Sequence, residues 1–337
     1  MSQAISAPPS AMVAHDPLPI AEVEERRAKE SYDELIARLS TMSVRKHFDA
    51  YADVPWDDPE FAIRRDDPRF ELTDQNTLGE TAWYQSLPQP TRAELGLETI
   101  VGSMKMGVVF ENVLKRGLLN FAFHLPNGSP EFRYCYHETI EEAQHSLMFQ
   151  EFINRSNMNP PGPSMRIARG TRFVARLGRV FPELFFFFVL GGEEPIDYAQ
   201  KRTLRGDKKQ HPLVERISKI HITEEARHLC FARNFLQRNV PRLGFIKRLR
   251  LRIMIPIILG QMAAMMLEPS RRTIAKYKIP KEVLREAYYE NKDHKHRVRE
   301  SLASVAKLAI DLGLLTTRDI WLWRFVGLGN PFRYAKA

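Results

Sequence analysis

Residues 138–145 read Glu138-Thr139-Ile140-Glu141-Glu142-Ala143-Gln144-His145, and residues 221–228 read His221-Ile222-Thr223-Glu224-Glu225-Ala226-Arg227-His228. Each stretch contains Glu-x-x-His, and each follows an upstream glutamate, Glu111 before Glu142 and Glu194 before Glu225, with thirty residues between them. Every member of the second set lies 83 positions after its counterpart in the first. On an α-helix, positions i and i+3 share a face about 5–6 Å apart at Cβ, so Glu142 and His145 can reach one ion. Thirty residues allow a helix end, a turn and a return. One helix giving Glu and the next giving Glu-x-x-His, twice over, is the donor set for two iron or manganese ions inside a four-helix bundle. The expected fold is all-α, with further helices at both termini.

A single Glu-x-x-His is weak evidence, because chance and solvated helix faces also produce it. Of ten histidines, only His145 and His228 have a glutamate three places before them, and both fall at matched points of the repeat. Burying an unpaired carboxylate costs several kcal/mol, so the apolar runs before Glu111 (106–110) and Glu194 (185–192) favour a shared cation. Glu193 adjoins Glu194 and is the competing ligand; the 83-residue offset selects Glu194. Glu141 adjoins Glu142, but only Glu142 has the spacing to His145.

The repeat breaks at one place, where Glu138 in the first copy faces His221 in the second. His221, Glu225 and His228 fall at i, i+4 and i+7, one stripe along a helix, which makes His221 a third histidine ligand. A histidine on such a face is otherwise a satisfied core residue. Glu138 is then either a group behind the ligands or a surface residue, and the sequence leaves both open.

With those residues in view, the chain resembles the AurF-like p-aminobenzoate N-oxygenases, non-haem diiron enzymes that oxidise an amine nitrogen with dioxygen. The shared pattern is Glu111, then Glu141-Glu142-Ala143-Gln144-His145, then Glu194, and finally the His-x-x-x-Glu-x-x-His of 221–228. The segment from Phe48 to Asp57 is similar to the family's entry segment, and the likeness covers roughly residues 40–310. It implies a ferritin-like bundle and two metal ions held by Glu111, Glu142, His145, Glu194, His221, Glu225 and His228. It also implies a peroxo-diiron(III) species that delivers oxygen to an amine, in the first instance an arylamine. Where the best-known arylamine oxygenases of this family place an arginine against the substrate carboxylate, this chain has Met106, so p-aminobenzoate itself does not carry over. Two rival readings use the same ligands: a diiron hydroxylase or desaturase acting on carbon, and a ferritin-like iron-handling protein.

The remaining chain fits one large domain, expected over 26–337 around a metal-binding core at 93–238. Helices are expected over 93–122, 130–156, 165–204 with a break near Phe181-Pro182, and 211–238. Pro195 is expected to bend or bulge its helix. Residues 1–25 hold several prolines and little periodicity, which reads as a disordered tail rather than a signal peptide. The apolar run 253–267 is short for a bilayer span and reads as a helix packed on the bundle or at a dimer contact, with membrane-surface contact beside the basic run 247–252 as the alternative. The formal charge of +9 and pI near 9.5 come without a nucleic-acid motif or basic stripe. Two cysteines are too few for a disulfide scaffold and suit a reducing cytoplasm. No flavin or nicotinamide fingerprint is present, so electrons are expected from a separate reductase or ferredoxin.

Overall fold

The computed structural model describes residues 30–335 apart from 74 and 268. The expected disordered tail, 1–25, lies outside the described residues. Seven long helices organise the chain: α1 (Tyr32–Arg45), α2 (Gln89–Ala122), α3 (Pro130–Arg155), α4 (Met165–Val180), α5 (Pro182–Arg205), α6 (Pro212–Asn239) and α7 (Phe245–Leu267). Shorter C-terminal helices follow, among them α8 (Lys292–Ser301), α9 (Ala303–Asp311) and α10 (Ile320–Phe325). No strand occurs among the described residues.

The helix boundaries follow local chemistry. Proline opens the first turn of α2, α3, α5 and α6, where a missing N–H costs nothing because that donor has no partner inside the helix. Ser31 and Glu34 close a reciprocal capping box at the start of α1. Phe181-Pro182 ends α4 and starts α5, at the expected break. Pro195 sits within α5, and the helix continues through it.

α2 and α3 form one antiparallel hairpin, α5 and α6 a second, and the two pack face to face. At one end the interior is aromatic: Phe121, Tyr134, Phe185, Phe186, Phe231 and Phe235 are all buried. Phe186 and Phe235 lie 4.5 Å apart at their ring centroids, and Phe121 meets Phe186 edge-on at 5.4 Å. α4 crosses α2 so closely that a Cβ on Gly178 would sit 2.0 Å from the Gly117 carbonyl oxygen. Small residues at this crossing let the two backbones touch. α7 packs on α5, burying Leu251, Ile255, Leu259 and Met262, while Phe245, Ile246, Leu249 and Ile253 face outward. Among the described residues no helix is long and apolar enough to cross a membrane.

Candidate metal centre

At mid-height the apolar interior gives way to charge. α2 contributes Glu111, α3 contributes Glu138, Glu142 and His145, α5 contributes Glu193, and α6 contributes His221, Glu225 and His228. All are at most 1% exposed. Their donor atoms fall into overlapping triads whose members lie within 4.8 Å of one another: Glu111–His145–His221, Glu138–Glu142–His228, Glu142–His145–Glu225, Glu193–His221–Glu225 and Glu111–Glu142–Glu193. Glu142 belongs to three of these triads, more than any other member, which places it at the middle of the cluster. Nδ1 of His145 lies 3.3 Å from Glu142 and 3.5 Å from Glu225. Nδ1 of His228 lies 3.0 Å from Glu142 and 3.1 Å from Glu225. Nε2 of His221 lies 3.6 Å from Glu111 and 4.0 Å from Glu193.

Glu194 is not in this cluster, contrary to the sequence reading; its carboxylate pairs with Arg233 on α6. The reason is the turns. The link between α2 and α3 spans 123–129, and that between α5 and α6 spans 206–211, one residue fewer. A shorter turn moves the level of each arm, so the α5 residue opposite Glu225 comes one place before the one the 83-residue offset selects. Glu193 also continues the buried stripe of Phe186 and Leu190, at i+7 and i+3. Glu138, left open by the sequence, is buried in the cluster one turn before Glu142. The signal was present in its alignment with His221 along the same stripe.

The histidines' outer nitrogens are held by the repeat itself. Nε2 of His145 lies 2.9 Å from Glu224, and Nε2 of His228 lies 2.7 Å from Glu141. Glu141 and Glu224 are themselves 83 positions apart, and each braces the histidine of the other copy. A carboxylate behind an imidazole fixes its tautomer and turns the opposite nitrogen's lone pair toward a metal. Arg227, buried between them, lies 2.8 Å from Glu141 and 3.5 Å from Glu224. The 48–57 segment clips over the same region. The Phe48 amide donates to Glu224 at 3.1 Å, the Ala50 amide donates to Gln144 at 2.9 Å, and Arg155 grips the Trp56 carbonyl at 2.6 Å. On the α2 side, Lys115 donates to the Glu142 carbonyl at 2.9 Å and to the Ser146 hydroxyl.

Electrostatics show how much negative charge is packed here. Burial, and then Glu142, push Glu111 well above the usual carboxylate range; burial with Glu225 and Glu142 does the same to Glu193. Burial raises Glu138 to about 8. Burial would raise Glu141 too, but His228 and Arg227 hold it at about 2. His145 is raised to about 9, because Glu142 and Glu224 outweigh its burial. His221 goes the other way, kept neutral by burial and by the neighbouring His145. Both oxygens of Glu193, both nitrogens of His221, and one oxygen each of Glu111, Glu138 and Glu225 have no hydrogen-bond partner among the described residues. Orphaned polar atoms at zero exposure need an explanation. Five inward carboxylates and three imidazoles supply buried oxygen and nitrogen donors that could hold metal ions.

Comparison with known proteins agrees with this geometry. The family profile described as P-aminobenzoate N-oxygenase AurF matches residues 29–313. An uncharacterized protein of Mycobacterium bovis and two from strains of Mycobacterium tuberculosis are each 38% identical to it over 304 residues, covering 90% of this chain and 89% of the relative. No solved structure matches the chain significantly.

Proposed function

Because the chain belongs to the P-aminobenzoate N-oxygenase AurF family, whose fold is a ferritin-like diiron helical bundle, we propose that it is a diiron monooxygenase that oxidises the nitrogen of an amine, an arylamine in the first instance, with dioxygen. The observation that carries the reading is His221. It stands in the cluster as a third imidazole, buried, neutral, and with neither nitrogen hydrogen-bonded.

The residues that would hold the ions are Glu111, Glu142, His145, Glu193, His221, Glu225 and His228, with Glu138 beside Glu142 and His228. Two ferrous ions so held would supply two electrons and an open position for dioxygen. Glu142 and Glu225 lie within reach of histidines from both halves of the repeat and would be among the carboxylates that hold the ions. Glu141 and Glu224 keep the Nε2 protons of His228 and His145 in place, so that Nδ1 faces inward on both rings. Phe110, Phe149 and Phe188 keep the neighbourhood apolar, with Phe149 5.5 Å from His221. Met106, half-buried one turn before Glu111, offers no cation to a benzoate. A separate reductase or ferredoxin in the cytoplasm would return the electrons.

The test is reduced, iron-loaded protein exposed to oxygen with a panel of arylamines, products followed by mass spectrometry. Hydroxylamine, nitroso or nitro products containing oxygen from 18O2 are expected. Turnover of an alkyl chain without N-oxygenation would assign the carbon-oxidising reading instead. Oxidation and retention of many irons per chain, with no organic product, would assign iron handling.

A further inference from the structure

Away from the metal centre, the second half of α5 and the C-terminal helices form a half-open cavity of about 620 Å³. That volume suits a small organic molecule rather than a bare ion. Three guanidinium groups line it, from Arg299 on α8, Arg324 on α10 and Arg333 in the C-terminal turn, together with Tyr198 and Tyr334. The one carboxylate in the wall, Glu300, is already engaged: the Tyr198 hydroxyl donates to it at 2.5 Å, His296 lies at 3.2 Å and Arg202 at 3.6 Å. No carboxylate among the described residues pairs with Arg299, Arg324 or Arg333. Nε of Arg299 and the Tyr334 hydroxyl are both buried without a hydrogen-bond partner. Gly329 holds a positive φ of +73° against the Arg299 guanidinium, and a Cβ there would lie 2.9 Å from its Nε. Glycine thus leaves room for Arg299 to lie flat against the loop.

Arg299, part-buried with its Nε unpartnered, and the exposed Arg324 and Arg333 converge on one half-open pocket with no free counter-charge in its wall, an arrangement that favours anionic oxygens, and the planar fork suits carboxylate or phosphate. One carboxylate would satisfy one arginine and leave two unmatched. We propose that this cavity binds a dianionic small molecule of the phosphate-monoester class, its phosphoryl oxygens shared among Arg299, Arg324 and Arg333 and its organic body against the Tyr198 and Tyr334 rings. Binding in this cavity is independent of any reaction at the metal centre. Arg233 on α6, the partner of Glu194, also donates to the Ser304 carbonyl at 3.4 Å, which ties α6 to the helix that follows the wall residue Ala303.

The test is calorimetric titration of the full, iron-loaded chain with phenyl phosphate, benzoate and inorganic phosphate, without turnover. Phenyl phosphate is expected to bind at least about tenfold more tightly than benzoate, since each added charge-assisted contact is worth roughly that much. Inorganic phosphate, lacking the organic body, is expected to bind more weakly than phenyl phosphate. Arg333→Gln, on an exposed turn, and Arg299→Gln should each weaken phenyl phosphate about tenfold or more, whereas Arg318→Gln, exposed and outside the cavity, should not. Failure to bind phenyl phosphate, binding no tighter than benzoate, or Arg333→Gln and Arg299→Gln that bind like the parent would each overturn the proposal. None of these outcomes depends on N-oxygenation.

Discussion

Exchanging each of the adjacent glutamates of α5 for glutamine distinguishes a metal ligand from an ion-pair partner one residue away. Glu193 is raised well above the usual carboxylate range by burial and by Glu225 and Glu142, so the metal-free protein favours its protonated form. Glutamine is nearly its isostere, and Glu193→Gln should leave the metal-free melting temperature almost unchanged. Its effect should appear on loading. Metal at 100 times its dissociation constant stabilises by about 2.7 kcal/mol, and a hundredfold weaker site would retain only about 0.4 kcal/mol of that. With an unfolding entropy of about 2.1 cal/mol/K per residue, the 337-residue chain gives roughly 0.7 kcal/mol/K, so the loss reads as about 3 °C. Glu194→Gln should do the reverse. It removes the partner of Arg233, whose side chain is 27% exposed, and should lower the metal-free protein's stability by about 1–3 kcal/mol while leaving the gain on loading intact. Differential scanning calorimetry with and without Fe(II) or Mn(II), paired with metal stoichiometry by mass spectrometry, reads both quantities. If Glu194→Gln lost an ion per chain and Glu193→Gln kept both, Glu194 rather than Glu193 would be the ligand that α5 supplies.

Three further outcomes follow from the geometry. Glu141→Gln and Glu224→Gln each leave the inward donors in place but loosen one histidine, so chelator competition should show metal affinity weakened about 10- to 100-fold; unchanged affinity would make the two carboxylates bystanders. His211 caps α6, stacks on Phe70, and is held at about 4 by burial and Arg69. Its folded value lies below its ordinary 6.5, so the stability it protects is present above pH 6.5 and lost as pH falls through about 4, by up to about 3 kcal/mol. His211→Asn keeps a capping oxygen and should flatten acid denaturation in that window, and an unaltered profile would remove His211 as its source. Gly178→Ala should destabilise by about 1–3 kcal/mol, because its Cβ meets Gly117 backbone that cannot turn aside. Gly170→Ala on the same helix, with open space around it, should stabilise by about 0.5–1 kcal/mol, and chemical denaturation of both variants should show the opposite signs.

The sequence by itself determined the class of fold and the types of donor residue that its helices could bring together. The 83-residue repeat, the i, i+3 spacing of Glu142 with His145 and of Glu225 with His228, and the prolines at helix starts are local properties. They hold along one helix whatever it packs against, and the helix limits read from them agree with the structure to within a few residues. Which face of α5 turns inward is not local. It depends on how two antiparallel arms register across a turn, and one residue fewer in 206–211 brings Glu193 inward and leaves Glu194 to Arg233. The same dependence hid the role of Glu138, whose stripe was visible but whose burial was decided by the hairpin opposite. It also hid the crossed bracing of His145 by Glu224 and His228 by Glu141, a relation between helices far apart in the chain. The arginine-lined cavity was beyond sequence reading altogether, because Tyr198 and the residues at 299–334 are joined only where the C-terminal helices fold back on α5. Spacing fixes what a helix can offer; packing decides which of those offers meet.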